Sequence, residues 1–203
     1  MTAPLNITRR RLLAASCAAA LSAPRWADAQ GRVLTRVQTP IGSFVIAVDP
    51  KVAPVTVANY LAYVDARYLD GASVYRIVTL ANQAPDTPHR IEVVQWGMNL
   101  PDEKPAPLPP IRLETTRETG LRHLDGTVSM ARSTPDSGTS EFFICVGDQP
   151  ELDFGGRRNP DGQGFAAFGQ VVQGRNVVQA LHRMGRAEQF LKEPIPIATV
   201  RRA

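Results

Sequence analysis

The stretch from Thr127 to Gly147, TVSMARSTPDSGTSEFFICVG, constrains this chain more than any other. Val128 to Ala131 is a short run of small and apolar residues, and Phe142 to Val146 is an unbroken apolar one. Both have strand composition and both are bounded by turn formers. Between them, Ser133 to Ser140 is rich in Ser, Thr, Pro, Asp and Gly, the chemistry of an irregular exposed loop. Two buried strands joined by a stiff polar loop can carry a site on a firm scaffold.

The flanking sequence supplies more strands than helices. Val33 to Thr39 and Ser43 to Val48 surround Pro40-Ile41-Gly42 and read as a hairpin, with Phe44, Ile46 and Val48 directed to one face. Pro54 to Tyr68 carries Val57, Tyr60, Leu61 and Val64 at helical spacing, with Pro54 suited to a first turn and Gly71 just beyond the end. Val74 to Leu80, Ile91 to Trp96 and Phe165 to Val172 read as strands, Arg175 to Met184 as a second amphipathic helix, and Ile195 to Val200 as the last strand. Pro101 to Pro110 holds five prolines, which restricts it to an extended connection. Many strands and two helices predict a closed β-barrel, which leaves no sheet edge exposed.

A length of 203 residues suits one domain with a substantial core. The formal charge of +4 is concentrated at the start: Arg9, Arg10, Arg11 and Arg25 face only Asp28 before residue 30, so the remainder carries an excess of one. That distribution excludes a nucleic-acid partner as the reading of the charge. Arg9-Arg10-Arg11 precedes LLAASCAAALSA, an apolar run too short to span a bilayer comfortably, and Ala27-Asp28-Ala29 has the small-x-small form of a signal-peptidase site. Residues 1–29 are therefore expected to be a cleavable, twin-arginine-like export signal. The mature domain would be 30–203, periplasmic or secreted, with no stable membrane insertion. It would retain only Cys145, buried within FFICV, and so form no internal disulfide. His89, His123 and His182 lack metal-ligand spacing, and no metal or other cofactor is expected. The run Asn159 to Gly164 lacks the ligand series of a calcium loop and reads as a tight turn. Without G-x-S-x-G, the serines make no hydrolase case.

SMARSTPDSGTSEFFI resembles the signature of the cyclophilins, peptidyl-prolyl isomerases whose usual wording is close to SMAN…GSQFFI. VYRI at Val74 to Ile77 resembles the family's FHRI, and VVQWG at Val93 to Gly97 its MxQGG. LDFG from Leu152 and FAAFGQVVQG from Phe165 follow in the family's order. The resemblance spans roughly residues 32 to 201, and PPIRLE followed by GLRHLDGTVSMAR resembles the bacterial branch. It implies an eight-stranded antiparallel barrel capped by two α-helices, acting as a monomer on proline-containing polypeptide clients and assisting protein folding in the cell envelope.

The resemblance also implies site roles. Arg76 falls on the catalytic arginine. Val93, Phe143, Leu152 and Phe165 fall on positions that line the proline pocket. Gln95 matches the glutamine that bonds the substrate backbone, and Ala131 a main-chain contact. Arg132 stands where the family often has Asn, Glu141 where it has Gln, and Glu151 where it has an aromatic residue. Glu92 precedes Val93 where an apolar ring is expected. Those acids imply a groove that has exchanged apolar surface for charge, with Glu141 and Glu92 near enough to pair with Arg76. They motivate a second reading, a catalytically weak peptide-binding module or chaperone on the same fold. A third is a scaffold that acts through its proline-rich loops.

Overall fold

The computed structural model describes residues 31–101 and 104–203; the export signal expected at 1–29 lies outside the described residues. Among the described residues nine strands form one antiparallel sheet: β1 (Val33–Thr39), β2 (Gly42–Val48), β3 (Ser73–Val78), β4 (Val93–Gly97), β5 (Thr127–Met130), β6 (Glu141–Cys145), β7 (Ala166–Gln173), β8 (Phe190–Pro196) and β9 (Thr199–Arg202). Their spatial order is β8-β3-β4-β6-β5-β7-β2-β1-β9. The hairpin β1–β2 closes with Thr39 opposite Gly42, as the Pro-Ile-Gly spacing predicts.

The sheet has nine strands where the resemblance implied eight, and the difference lies at its end. The expected strand Ile195 to Val200 is two pieces, interrupted at Ile197 and Ala198. Ile197 exchanges bonds with Gly71 (3.0 Å) and Ala72 (2.7 Å), just before β3, while the Ala198 amide donates to Gln38 O of β1 at 2.9 Å. One segment thus passes its hydrogen bonds from one side of the sheet to the other. The sheet curls until its two outermost strands are successive parts of the same chain. Pro194 and Pro196 are tolerated in β8 because that strand pairs only with β3, and a proline can place its missing N–H on the unpaired side.

Helices α1 (Pro54–Asp65) and α3 (Arg175–Arg183) end three and one residues short of the expected bounds, and a single turn, α2 (Thr116–Thr119), is added. The start of α1 has no side-chain cap of its own. Glu114 serves instead: its carboxylate accepts from Val55 N (3.0 Å), Thr56 N (2.6 Å) and Thr56 Oγ1 (2.7 Å). Amide donors at a helix start favour a negative partner. Tyr60 of α1 sits 5.3 Å from Phe142 and 5.2 Å from Phe168, ring to ring, inside the curl.

Alternation along β4 and β6 sends Val94, Trp96, Phe142 and Ile144 into this core, while Val93, Phe143 and Cys145 join a separate apolar cluster on the outer face. FFIC reads as one continuous apolar run because both faces of β6 are covered.

Candidate active site on the outer face

Arg76 reaches the outer face through a β-bulge. Val74 and Ile77 both point into the core, which strict alternation would forbid at a spacing of three. The register of β3 slips between Val74 and Arg76 against both β4 and β8. Tyr75 is the extra residue, and the slip turns Arg76 outward opposite Gln95. The guanidinium is braced from two sides. Nη1 donates to Gln95 Oε1 at 2.9 Å, while Nε (3.1 Å) and Nη2 (2.6 Å) both donate to Gln189 Oε1. Each brace is held in turn: Gln95 Nε2 donates to the Tyr75 hydroxyl at 2.6 Å and Gln189 Nε2 to Asn82 O at 3.2 Å. Three of the five guanidinium N–H groups are thereby engaged, leaving two for a ligand. Burial and the nearby charge of Arg158 lower the Arg76 pKa, but an arginine remains a cation in any protein setting.

Beside Arg76 lies a cleft of about 340 Å³. Its apolar wall comprises Ile91, Val93, Phe143, Leu152 and Phe165. Phe143 and Phe165 meet edge to face with centroids 5.3 Å apart, a favoured ring geometry. The segment that completes the wall, residues 152–165, folds back on itself. Phe165 N donates to Leu152 O at 2.9 Å, and a Cβ on Gly164 would lie 2.5 Å from Leu152 O, so the turn admits only glycine. Arg132 clamps this segment: its guanidinium donates to both Asp161 oxygens (2.8 and 2.9 Å) and to Gly164 O (2.8 Å), and lies 5.3 Å from the Phe165 ring. The turn Asn159 to Gly164 thus uses its acid to hold Arg132. Among the described residues no group of His, Cys, Asp and Glu gathers as metal ligands would.

Arg76, Val93, Gln95, Ala131, Arg132, Phe143, Leu152 and Phe165 all line this one cleft. Glu141 does not. Its side chain turns toward the segment after β4, accepting from Asn99 N (2.9 Å) and Ser140 Oγ (3.1 Å), and burial raises its pKa. The expected pairing of Glu141 with Arg76 is replaced by the two glutamines. Glu92 lies 3.7 Å from His182 Nε2. Glu151 faces His89 Nδ1 at 3.3 Å and accepts from Arg157 N at 2.9 Å, and that amide bond lowers its pKa. Glu151 lines a neighbouring, larger opening of about 670 Å³ with Arg117 and Phe154, outside the apolar cleft. Beta alternation explains the pattern: Glu92 precedes the outward Val93, and Ile91 fills the apolar place on its other side. Ile91, Arg158, Asn159 and Gln189 are the site residues that motif matching missed. Ile91 was legible as an apolar residue at a strand start, whereas Gln189, 113 residues from Arg76, carried no local signal.

Beneath the cleft floor, His123 connects Ser129 to Asp153. Nε2 lies 2.9 Å from Ser129 Oγ and Nδ1 2.7 Å from Asp153 Oδ1, which also accepts the His123 amide at 3.0 Å. The imidazole stacks on Phe143, with centroids 5.9 Å apart. This is the geometry of a hydrolytic triad, yet His123 and Ser129 are 1% and 0% exposed, so no substrate reaches the hydroxyl. Burial lowers the His123 pKa more than Asp153 raises it. The ring is therefore neutral at pH 7, and the trio is a hydrogen-bonded strut under Phe143. Cys145, likewise buried, has its pKa raised by burial and is not a reactive thiol.

A curled antiparallel sheet with an apolar outer cleft beside a braced guanidinium defines a protein built to grip an apolar residue next to a fixed hydrogen-bond donor. The family described as cyclophilin type peptidyl-prolyl cis-trans isomerase/CLD matches residues 34–202. The chain belongs to that family, and its enzymatic class is accordingly that of an isomerase. It is 32% identical over 166 residues to peptidyl-prolyl cis-trans isomerase cyp18 of Streptomyces antibioticus, covering 81% of this chain and 92% of that one. Identity to peptidyl-prolyl cis-trans isomerase A of Dickeya dadantii is 35% over 147 residues, or 72% and 69% of the two chains. A crystal structure of a cyclophilin type isomerase from Cryptosporidium parvum matches in fold, with a TM-score of 0.66 at 16% identity over 85% of this chain and 98% of that one.

Proposed function

We propose that this protein accelerates rotation about X-Pro bonds of polypeptide clients, with Arg76 as the catalytic donor, and that it does so in the cell envelope after export. Resonance gives the peptide C–N bond a rotational barrier of roughly 18–20 kcal/mol, and prolyl bonds exchange over about tens to hundreds of seconds. Twisting the amide returns the lone pair to nitrogen, so a catalyst needs an apolar seat for the proline ring and a donor aimed at that nitrogen. No nucleophile enters the reaction. A donor fixed beforehand in a water-poor cleft stabilises the twisted state without reorganising.

The observation that carries this reading is the bracing of Arg76 by Gln95 and Gln189 at the edge of the Phe143 cleft. The seat consists of Ile91, Val93, Phe143, Leu152 and Phe165. Gln95 keeps only part of its bonding capacity for a client backbone, and Ala131 contributes main chain beside it. The weak-binder reading loses its motive, because Glu92, Glu141 and Glu151 all lie outside the cleft lining. A protease-coupled isomerisation assay tests the proposal: the purified protein accelerates cis-trans exchange of a prolyl tetrapeptide, and Arg76→Ala, folded by circular dichroism, loses about 100- to 1,000-fold in kcat/KM, the scale for losing one fixed donor. A wild-type protein without acceleration, or an Arg76→Ala variant with full activity, overturns it.

The envelope assignment rests on residues 1–29 and on the likeness to the bacterial branch. Cell fractionation and N-terminal sequencing test it, the expectation being an exported chain that starts at Gln30. Retention of the intact chain in the cytoplasm overturns it.

A further inference from the structure

The charge inside the cleft is unbalanced. Among the described residues no carboxylate lines it, whereas three arginines do: Arg76, Arg132 and Arg158. Arg132 is neutralised by its two-pronged contact with Asp161. Among the described residues Arg76 is held by neutral groups, the amides of Gln95 and Gln189 and the Phe190 ring 5.5 Å away. Arg158 is half-buried, and its side chain has no ion-pair partner among the described residues. Its position is nevertheless set by the backbone, since Arg158 N donates to Glu151 O at 3.1 Å while the Glu151 carboxylate holds the preceding amide at 2.9 Å. The acids nearby are committed elsewhere: Asp161 to Arg132, Glu151 to His89 and Arg157, and Asp153 to His123.

We propose that Arg158 makes this cleft select prolyl segments that carry a carboxylate side chain directly beside the proline. The inference rests on the isomerase reading of the same site and adds the class of client. Two cations that share a cleft without a counter-charge repel each other; burial lowers the pKa of both, and at Arg76 the charge of Arg158 adds to it. A client Glu or Asp supplies the missing anion, and its carboxylate meets a planar fork of donors that suits it. A client Lys brings a third positive charge into a site of reduced dielectric, which is unfavourable. Arg158 thereby acts as a specificity residue, while Arg76 remains the donor to the twisted nitrogen.

The test compares kcat/KM for peptides whose N-terminus is blocked by an uncharged acetyl group. One series carries Glu, Ala or Lys immediately before the proline, and a second carries them immediately after it, with exchange followed by NMR. The expected result is that in at least one series Glu exceeds Lys by about tenfold, equivalent to about 1.4 kcal/mol. That ratio shrinks as salt is raised from 50 to 500 mM, since half-exposed charges are screened. Arg158→Gln should reduce the ratio to about twofold, and Arg158→Lys should retain most of it, which a purely structural role for the side chain would not produce. Equal acceleration of Glu and Lys peptides in both series overturns this proposal and leaves the isomerase reading standing. So does a wild-type ratio that salt leaves unchanged. Acceleration of none of the peptides overturns both.

Discussion

The two faces of the β4–β6 pair are made by alternate residues of the same ten positions, yet they are finished differently. On the inner face Trp96 and Phe142 pack 5.2 Å apart and Phe142 and Phe168 5.8 Å apart, ring to ring, with Tyr60 closing the group. Nothing further is needed to complete that packing. On the outer face Val93, Phe143 and Cys145 meet only a small cluster. The rest of their cover is a segment fastened by polar contacts: Arg132 to Asp161, Glu151 to Arg157 N, and His123 to Asp153. A cleft remains open between them. The lesson is that a strand pair can supply stability on one side and a binding seat on the other, provided the second side is roofed by hydrogen bonds and ion pairs that do not fill it.

The largest effect separates the faces directly. Phe142→Ala, on the inner side, should cost about 3–5 kcal/mol because the surrounding rings cannot collapse into the space. Phe143→Ala opens into an existing cleft that water can enter, so its stability loss should be about half as large, while isomerase activity falls sharply. Urea unfolding of both variants checks this. Equal losses would mean that Phe143 belongs to the core and that the two faces are not distinct.

The next effect should appear in activity without stability. Gln189→Ala removes the acceptor for two Arg76 donors, and a guanidinium free to swing off target should lower kcat/KM by about tenfold. Thermal midpoints should move by no more than a few degrees. Full activity would show that Gln95 alone aims the donor.

A smaller, pH-dependent effect should come from the strut beneath the cleft. Because burial lowers the folded-state pKa of His123 below its ordinary 6.5, the unfolded chain binds the extra proton first as pH falls. The stability this neutral ring contributes is complete above pH 6.5 and is lost as pH drops toward its folded value. The Tm should therefore be lower at pH 5 than at pH 7.5, and the drop should shrink in His123→Gln. An identical pH profile in the two proteins would assign the acid sensitivity to other groups.

The smallest effect tests the displaced acid. Glu141→Gln should keep kcat/KM within about twofold, since the side chain is turned from the cleft. Burial raises the Glu141 pKa, so its ionised form opposes folding as pH rises above its ordinary value. The variant should accordingly be no less stable than wild type at pH 7. A large loss of activity would place Glu141 back in the mechanism.

Most strands and both long helices were legible because alternation, helical spacing and turn residues act within a few positions of one another. The run FFICV, the hairpin around Pro40-Ile41-Gly42 and the VYRI and VVQWG segments all identify themselves locally. Eight of the residues that line the cleft were legible through the motifs that resemble the cyclophilins. The break at Ile197 and Ala198 was not legible, since it depends on which strand lies on each side. Nor was the capping of α1 by Glu114, 58 and 59 residues distant from the amides that it accepts. Matching Glu92, Glu141 and Glu151 to positions of the family's motifs implied an acidic groove, because a linear motif records which residues are adjacent but not which way a bulge or turn directs them.

What the sequence determined by itself is therefore the run of strands and helices with their buried faces, a consequence of short-range periodicity, while the cleft's apolar wall, Ile91 apart, was legible through the motifs shared with the cyclophilins. What only the tertiary structure decided is the sign of the charge within the cleft and the aim of its donor. The slip at Tyr75 points Arg76 outward, Gln189, in the bend just before β8 and 113 residues along the chain, holds it, and the fold of residues 152–165 brings Arg158 in while leaving Glu151 outside. Charge acts through space and side-chain direction is set by backbone register, so neither quantity is carried by the order of residues alone.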